Sequence, residues 1–170
     1  MADGANSDRT RTYTWDDPLA LLARAGSMSG LEALQLMAAG ELPPPPIAKT
    51  LGFGAIEVEK GKATFTVEPA EFHYNPIGVV HGGLALALLD SAMGCAVHST
   101  LAAGVAYTTL EVKANFVRPL TASTGPVRCS GTVVHLGRTV ATAEGKIVDE
   151  AGKLYAHGTS TLLILTAPAA

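Results

Sequence analysis

Residues 82 to 101, "GGLALALLDSAMGCAVHSTL", contain no turn pair after the opening glycines and are rich in alanine and leucine. That composition predicts one helix of about 18 to 20 residues, apolar almost all round. A helix of this kind must be covered on most sides, and a single curved sheet wrapped around it does so with the least chain. The flanking sequence supplies such a sheet. "AIEVEKGKATFTVE" alternates Ile56 and Val58, then Ala63, Phe65 and Val67, with polar neighbours around Gly61, the pattern of a β-hairpin. Beyond Gly104 follow "AYTTLEVKANFV", "GPVRCSGTVVHL", "RTVATAEGKIVDE" and "KLYAHGTSTLLIL", each alternating, with a tight turn between the last two. The expected fold class is α+β: an antiparallel β-sheet wrapped around one long central α-helix.

The chain ahead of the hairpin reads differently. Residues 1–16 are polar and uncapped and are expected to form a flexible tail. "DPLALLARAG" and "SGLEALQLMAAGEL" carry leucines at helical spacing, with Pro18 just after a potential Asp17 cap, which predicts two short helices. The run Pro43 to Pro46 should end any helix and favour an extended polyproline segment. Residues 17–50 are therefore expected to be a helical extension with a Pro-rich link, and 51–166 the main domain.

Composition narrows the classes of function. Of the 170 residues 48% are apolar and only 16% charged, which predicts surface hidden by self-association. Twelve basic and 15 acidic residues, with no basic block, argue against a nucleic-acid partner. Cys95 and Cys129 stand 34 apart with no CxxC and no histidine cluster, so neither a disulfide framework nor a metal site is signalled, and both read as core residues. The N-terminus has no apolar segment behind a basic start, and the apolar stretch Leu84–Val97 is interrupted by Asp90 and too short to span a bilayer. A cytoplasmic protein with no membrane association is expected.

Asp90 is the anomaly in the helix. By helical spacing it shares a face with Gly83, Ala87 and Gly94. Small residues let a second helix or strand approach closely, with or without a ligand. A carboxylate in such a seam is costly unless it is partnered, protonated or kept wet for a purpose, and a cleft fits all three. Just ahead, "NPIGVVHGG" supplies Asn75, His81, Gly82 and Gly83. The first amides of a helix lack intrahelical partners and carry partial positive charge, so Gly82 offers an oxyanion site; alternatively the glycine pair merely makes a tight strand-to-helix connection. The eight residues from Gly82 to Asp90 amount to about 12 Å of helix axis, too far for both groups to act on one carbonyl within one protomer. Two antiparallel helices related by a twofold axis would bring the start of one level with the middle of the other.

The segment "NPIGVVHGGLALALLD" resembles the hotdog-fold thioesterases of the phenylacetate-degradation (PaaI-like) type, close to the 4-hydroxybenzoyl-CoA thioesterase superfamily. The resemblance rests on an Asn, a His-Gly-Gly beginning six positions later, and an Asp nine after the His, and it extends through "NFVRPL" and "HLGRTVATAEGKIVDEAGKLYAHGTSTL", from about Ser29 to Leu165. It implies an acyl-CoA thioesterase, without cofactor or metal, that forms a homodimer or a dimer of dimers. It assigns Asp90 as nucleophile or general base, Gly82 as backbone donor to the thioester oxygen, Asn75 as a residue placing substrate or water, and His81 as a neighbour of the oxyanion site. A hydroxyl on the strand after the helix would help hold the water, with Thr109 the nearer match and Thr108 one register away.

Substrate contacts are expected from Gly83, Thr108, Tyr74, Arg118 and Arg138, the arginines toward CoA phosphates. Phe72, Tyr74 and Tyr107 are expected around an aryl or medium-chain acyl group. His73, His98, His135 and His157 have no partner at metal spacing and read as structural or surface residues. Two alternatives stay open. A hotdog hydratase or dehydratase would pair Asp and His on a different segment, and a non-catalytic acyl-CoA-binding regulator would be expected to carry a DNA-binding appendage that residues 1–50 do not resemble.

Overall fold

The computed structural model describes residues 9–165; the expected tail over 1–8 and the last residue of the expected main domain lie outside them. Three short helices come first. α1 (Pro18–Ala25) starts where the Asp17 carboxylate accepts from the Leu19 amide at 2.9 Å, and α2 (Gly30–Ala38) where the Ser29 hydroxyl accepts from the Glu32 amide. The expected extended proline run is corrected at its last member. It stays extended only through Pro45, and Pro46 opens α3 (Pro46–Leu51). The first helical position needs no amide donor, and the fixed φ of proline already suits it. Residues 9–16 lie along this region: Arg9 pairs with Glu71, and the Arg11 guanidinium donates to the Lys49 and Thr50 carbonyls at the end of α3.

β1 (Phe53–Glu59) and β2 (Lys62–Val67) form the expected hairpin, turning at Gly61 with φ +83°. The long helix α4 (Gly82–His98) has 17 residues, slightly fewer than expected. It stops because the Ser99 and Thr100 hydroxyls donate to the Ala96 and Val97 carbonyls, both at 2.7 Å, and satisfy acceptors of the last turn. Ser99 also accepts from the Gly61 amide, which ties the helix end to the hairpin. The remaining strands are β3 (Ala106–Phe116), β4 (Val127–Leu136), β5 (Val140–Asp149) and β6 (Leu154–Leu165). All neighbours pair antiparallel in the order β1-β2-β4-β5-β6-β3, so β1 and β3 are the edges.

The sheet wraps α4 closely because its register aligns a row of small residues. Ala63, Gly131, Gly145, Gly158 and Ala114 lie opposite one another across β2, β4, β5, β6 and β3. A Cβ on Gly131 would stand 2.4 Å from the Ala92 backbone, so only glycine lets the helix lie this near. Around the row, Leu88, Leu89, Met93 and Val97 of α4 are fully buried against Val127, Cys129, Ile147 and Leu162. Burying each large apolar side chain contributes about 1.5–3 kcal/mol. None of the described helices is long and apolar enough to cross a membrane.

One irregularity matters for the site. β3 breaks register between Thr109 and Glu111, a bulge at Leu110. The extra residue resets the alternation, so Tyr107 and Thr109 before it and Val112 and Ala114 after it are all the more buried members of the strand.

Candidate active site

Asp90 sits half-buried in the middle of α4, and its Oδ1 accepts a hydrogen bond of 2.8 Å from the Thr109 hydroxyl. Without the bulge, Thr109 and Val112 could not face the helix together; Thr108, the adjacent register, is exposed. Asp90 opens onto a chamber of about 590 Å³. Ser91, Cys95 and His98 of α4 and Tyr107 of β3 form one side of it. Gly94 makes this possible, since a Cβ there would stand 2.7 Å from the Tyr107 hydroxyl oxygen.

The titratable side chains that α4 and β3 place beside the acid are kept uncharged. Burial, reinforced by the negative charge of Asp90, pushes the Cys95 thiol up to about 12, so it stays protonated and is no nucleophile. Burial likewise raises the Tyr107 phenol and lowers His98, whose ring lies 5.6 Å from that of Tyr107. His98 Nδ1 is buried without a hydrogen-bond partner among the described residues.

The helix start lies on a second, smaller cavity of about 320 Å³, lined by His81, Gly82, Phe116, Arg118 and Tyr155 among others. His81 caps α4: its Nδ1 accepts from the Gly83 amide at 2.8 Å. The Gly83 amide is thus engaged, while the Gly82 amide donates to nothing among the described residues. An added Cβ on Gly82 would lie 3.3 Å from the Phe116 ring, so glycine keeps this amide approachable. Asn75 shapes the approach to the cap, its Oδ1 accepting from the Ile77 and Val79 amides across a turn with Gly78 at φ +81°.

The other expected residues separate. Arg118 borders the Gly82 cavity and donates to the Leu154 carbonyl. Arg138 lies in the β4–β5 turn and lines neither cavity. The Tyr74 hydroxyl accepts from the Ala122 amide, and Phe72 packs on the Arg11 guanidinium; neither lines the Asp90 chamber, whereas Tyr107 does. His73 is a structural residue, its Nδ1 accepting from the Ala70 amide and its Nε2 bonded to the Leu51 carbonyl.

Three chamber residues, Ser91, Cys95 and His98, were not expected at the site. Their signal is present in the sequence: spacings of four and three continue one helical stripe beside Asp90. The opposite wall, from α2 through the proline run, carries no chemical motif.

Comparison with known proteins accords with this geometry. The sequence profile of the Thioesterase superfamily matches residues 77–156. The 1,4-dihydroxy-2-naphthoyl-CoA hydrolase of Listeria monocytogenes is 29% identical over 118 residues, covering 69% of this chain and 94% of its own length. Among solved structures, a mutant of the phenylacetic acid degradation protein PaaI from Thermus thermophilus is 32% identical with a TM-score of 0.64, over 71% of this chain and 100% of that one. The thioesterase HI1161 from Haemophilus influenzae is 26% identical with a TM-score of 0.69, over 82% and 92% respectively. The profile match begins ahead of the helix cap and ends within β6, so it takes in both Gly82 and Asp90. The chain belongs to the thioesterase superfamily, as an acyl-CoA thioester hydrolase with the hotdog fold.

Proposed function

We propose that the protein works as a homodimer in which Asp90 of one protomer and Gly82 of the other act on a single acyl-CoA thioester. The observation that carries this is the division of the site: the acid with its Thr109 bond opens on one cavity, and the free amide opens on another. Edge strand β3 links them, since Thr109 touches Asp90 and Phe116 lies against Gly82. Antiparallel pairing of two β3 edges about an axis near Val112 and Lys113 would set Thr109 opposite the partner's Phe116. Asp90 would then face the partner's Gly82 across one groove. An eleven-residue unpaired edge with Leu110 58% and Phe116 55% exposed favours such pairing.

The chemistry follows from the two groups. The Gly82 amide and the helix start polarise the thioester carbonyl and stabilise the oxyanion that forms on its oxygen. Asp90 takes a proton from water, and the hydroxide adds to the carbonyl carbon; collapse of the intermediate breaks the C–S bond and expels CoA thiolate, which is then protonated. Direct attack by the Asp90 carboxylate, giving a mixed anhydride that water then opens, uses the same atoms. In either route Thr109 fixes the carboxylate through Oδ1 and leaves Oδ2 for the reaction. Arg118 beside Gly82 suits the CoA phosphates, and the apolar chamber suits an aryl or medium-chain acyl group.

The test is release of free thiol from a panel of acyl-CoAs. Asp90→Asn and Asp90→Ala should lower kcat by about a thousandfold while the protein stays dimeric by sedimentation. Near-normal turnover in both variants would remove Asp90 from the mechanism.

A further inference from the structure

We propose that the segment from α2 through the proline run is the acyl-selecting wall of this enzyme, with Met37 its main specificity-determining residue. The inference rests on the reading that the Asp90 chamber receives the acyl group. That chamber has two sides of different origin. Asp90, Cys95, His98 and Tyr107 lie within the stretch matched by the superfamily profile, residues 77–156. The facing side, made by Met37, Leu42, Pro44 and Ile47, lies wholly before it, and Phe53, Ile56 and Phe65 of the β1–β2 hairpin complete the lining. The profile's stretch therefore carries the chemistry, and the segment ahead of it sets the space left for the acyl group.

The wall is built to hold its position. Leu42 is fully buried, and the prolines beside it have little backbone freedom to lose or regain. α2 is anchored at its start, where the Gly30 amide donates to the Leu101 carbonyl and a Cβ on Gly30 would fall 1.9 Å from the His98 carbonyl oxygen. That contact sets the first turn of α2 directly against the end of α4. From Asp90 to His98 is eight helical residues, about 12 Å of axis, the reach of a medium alkyl chain or a two-ring aryl group. Met37, half-buried on the last turn of α2, enters this space with an unbranched side chain that packs against varied shapes. Ile47 is 54% exposed, an apolar residue left open at the wall rather than packed in the core.

The experiment measures binding of non-hydrolysable thioether analogues of acetyl-, hexanoyl- and decanoyl-CoA to the full-length protein by calorimetry, alongside kcat/KM on the matching thioesters. Met37→Trp should weaken the decanoyl analogue at least about tenfold and leave the acetyl analogue within about twofold. Met37→Ala should shift preference the other way, toward the longer analogue. All three analogues moving together, or none moving in either variant, would overturn the proposal. If the tryptophan variant does not fold, Met37→Ala decides alone, and an unchanged decanoyl-to-acetyl ratio overturns the proposal. A wild type that binds the analogues in graded fashion but releases no thiol would defeat the thioesterase reading and leave the wall standing.

Discussion

Asp90 keeps one carboxylate oxygen tied to Thr109, and that single bond orients the acid on a helix face it shares with Ala87 and Gly94. Thr109→Val preserves the shape of the side chain and deletes the donor. Because hydrogen bonds to charged groups are among the stronger ones, kcat should fall by about tenfold, with KM for acyl-CoA little changed; steady-state kinetics on the variant check this. Thr109 also marks how far single residues can be read without coordinates. The helical stripe and the resemblance both point to Asp90, but the choice between Thr108 and Thr109 depends on an alternation that the bulge at Leu110 resets. Strict period-two reading from the far end of β3 would have turned Thr109 away from the acid. Arg138 illustrates the converse: its chemistry suits a phosphate, yet the β4–β5 turn carries it away from both cavities.

At the scale of elements, α4 and the glycine row must be considered together. The helix was legible because nothing in "LALALLDSAMGCAV" could face water in quantity, and the strands because each alternates cleanly. What the sequence does not display is the register that sets Ala63, Gly131, Gly145, Gly158 and Ala114 opposite one another, because cross-strand pairing is non-local. α3 escaped notice for a local reason: three prolines stay extended and the fourth starts a helix. The row makes a graded prediction. Gly131→Ala would press a Cβ on the Ala92 backbone, which cannot move alone, and should cost about 3 kcal/mol. Gly145→Ala would meet the flexible side chains of Met93 and Leu89 at 3.1 and 3.2 Å and should cost distinctly less. Urea denaturation of the two variants gives the order.

For the whole molecule the decisive feature is an edge. β3 is long, among the described residues only one of its sides is hydrogen-bonded, and it touches both halves of the proposed site. Leu110 projects from its bulge into solvent. Leu110→Lys should produce monomers in sedimentation experiments, because a charge on an exposed edge opposes pairing. The same variant should lose about a hundredfold or more in kcat, the usual consequence of removing an oxyanion donor, although Asp90 and Thr109 are untouched. A monomer of full activity would refute the shared site.

The contact of Gly131 with Ala92 has one more consequence. With helix and sheet already touching along that row, no cavity can be enlarged there to accommodate cargo. If the proposed wall sets acyl length, adaptation to bulkier or smaller molecules falls to residues 30–49, and exchanging that short stretch between homologues offers a route to new selectivity that leaves the sheet and its helix intact.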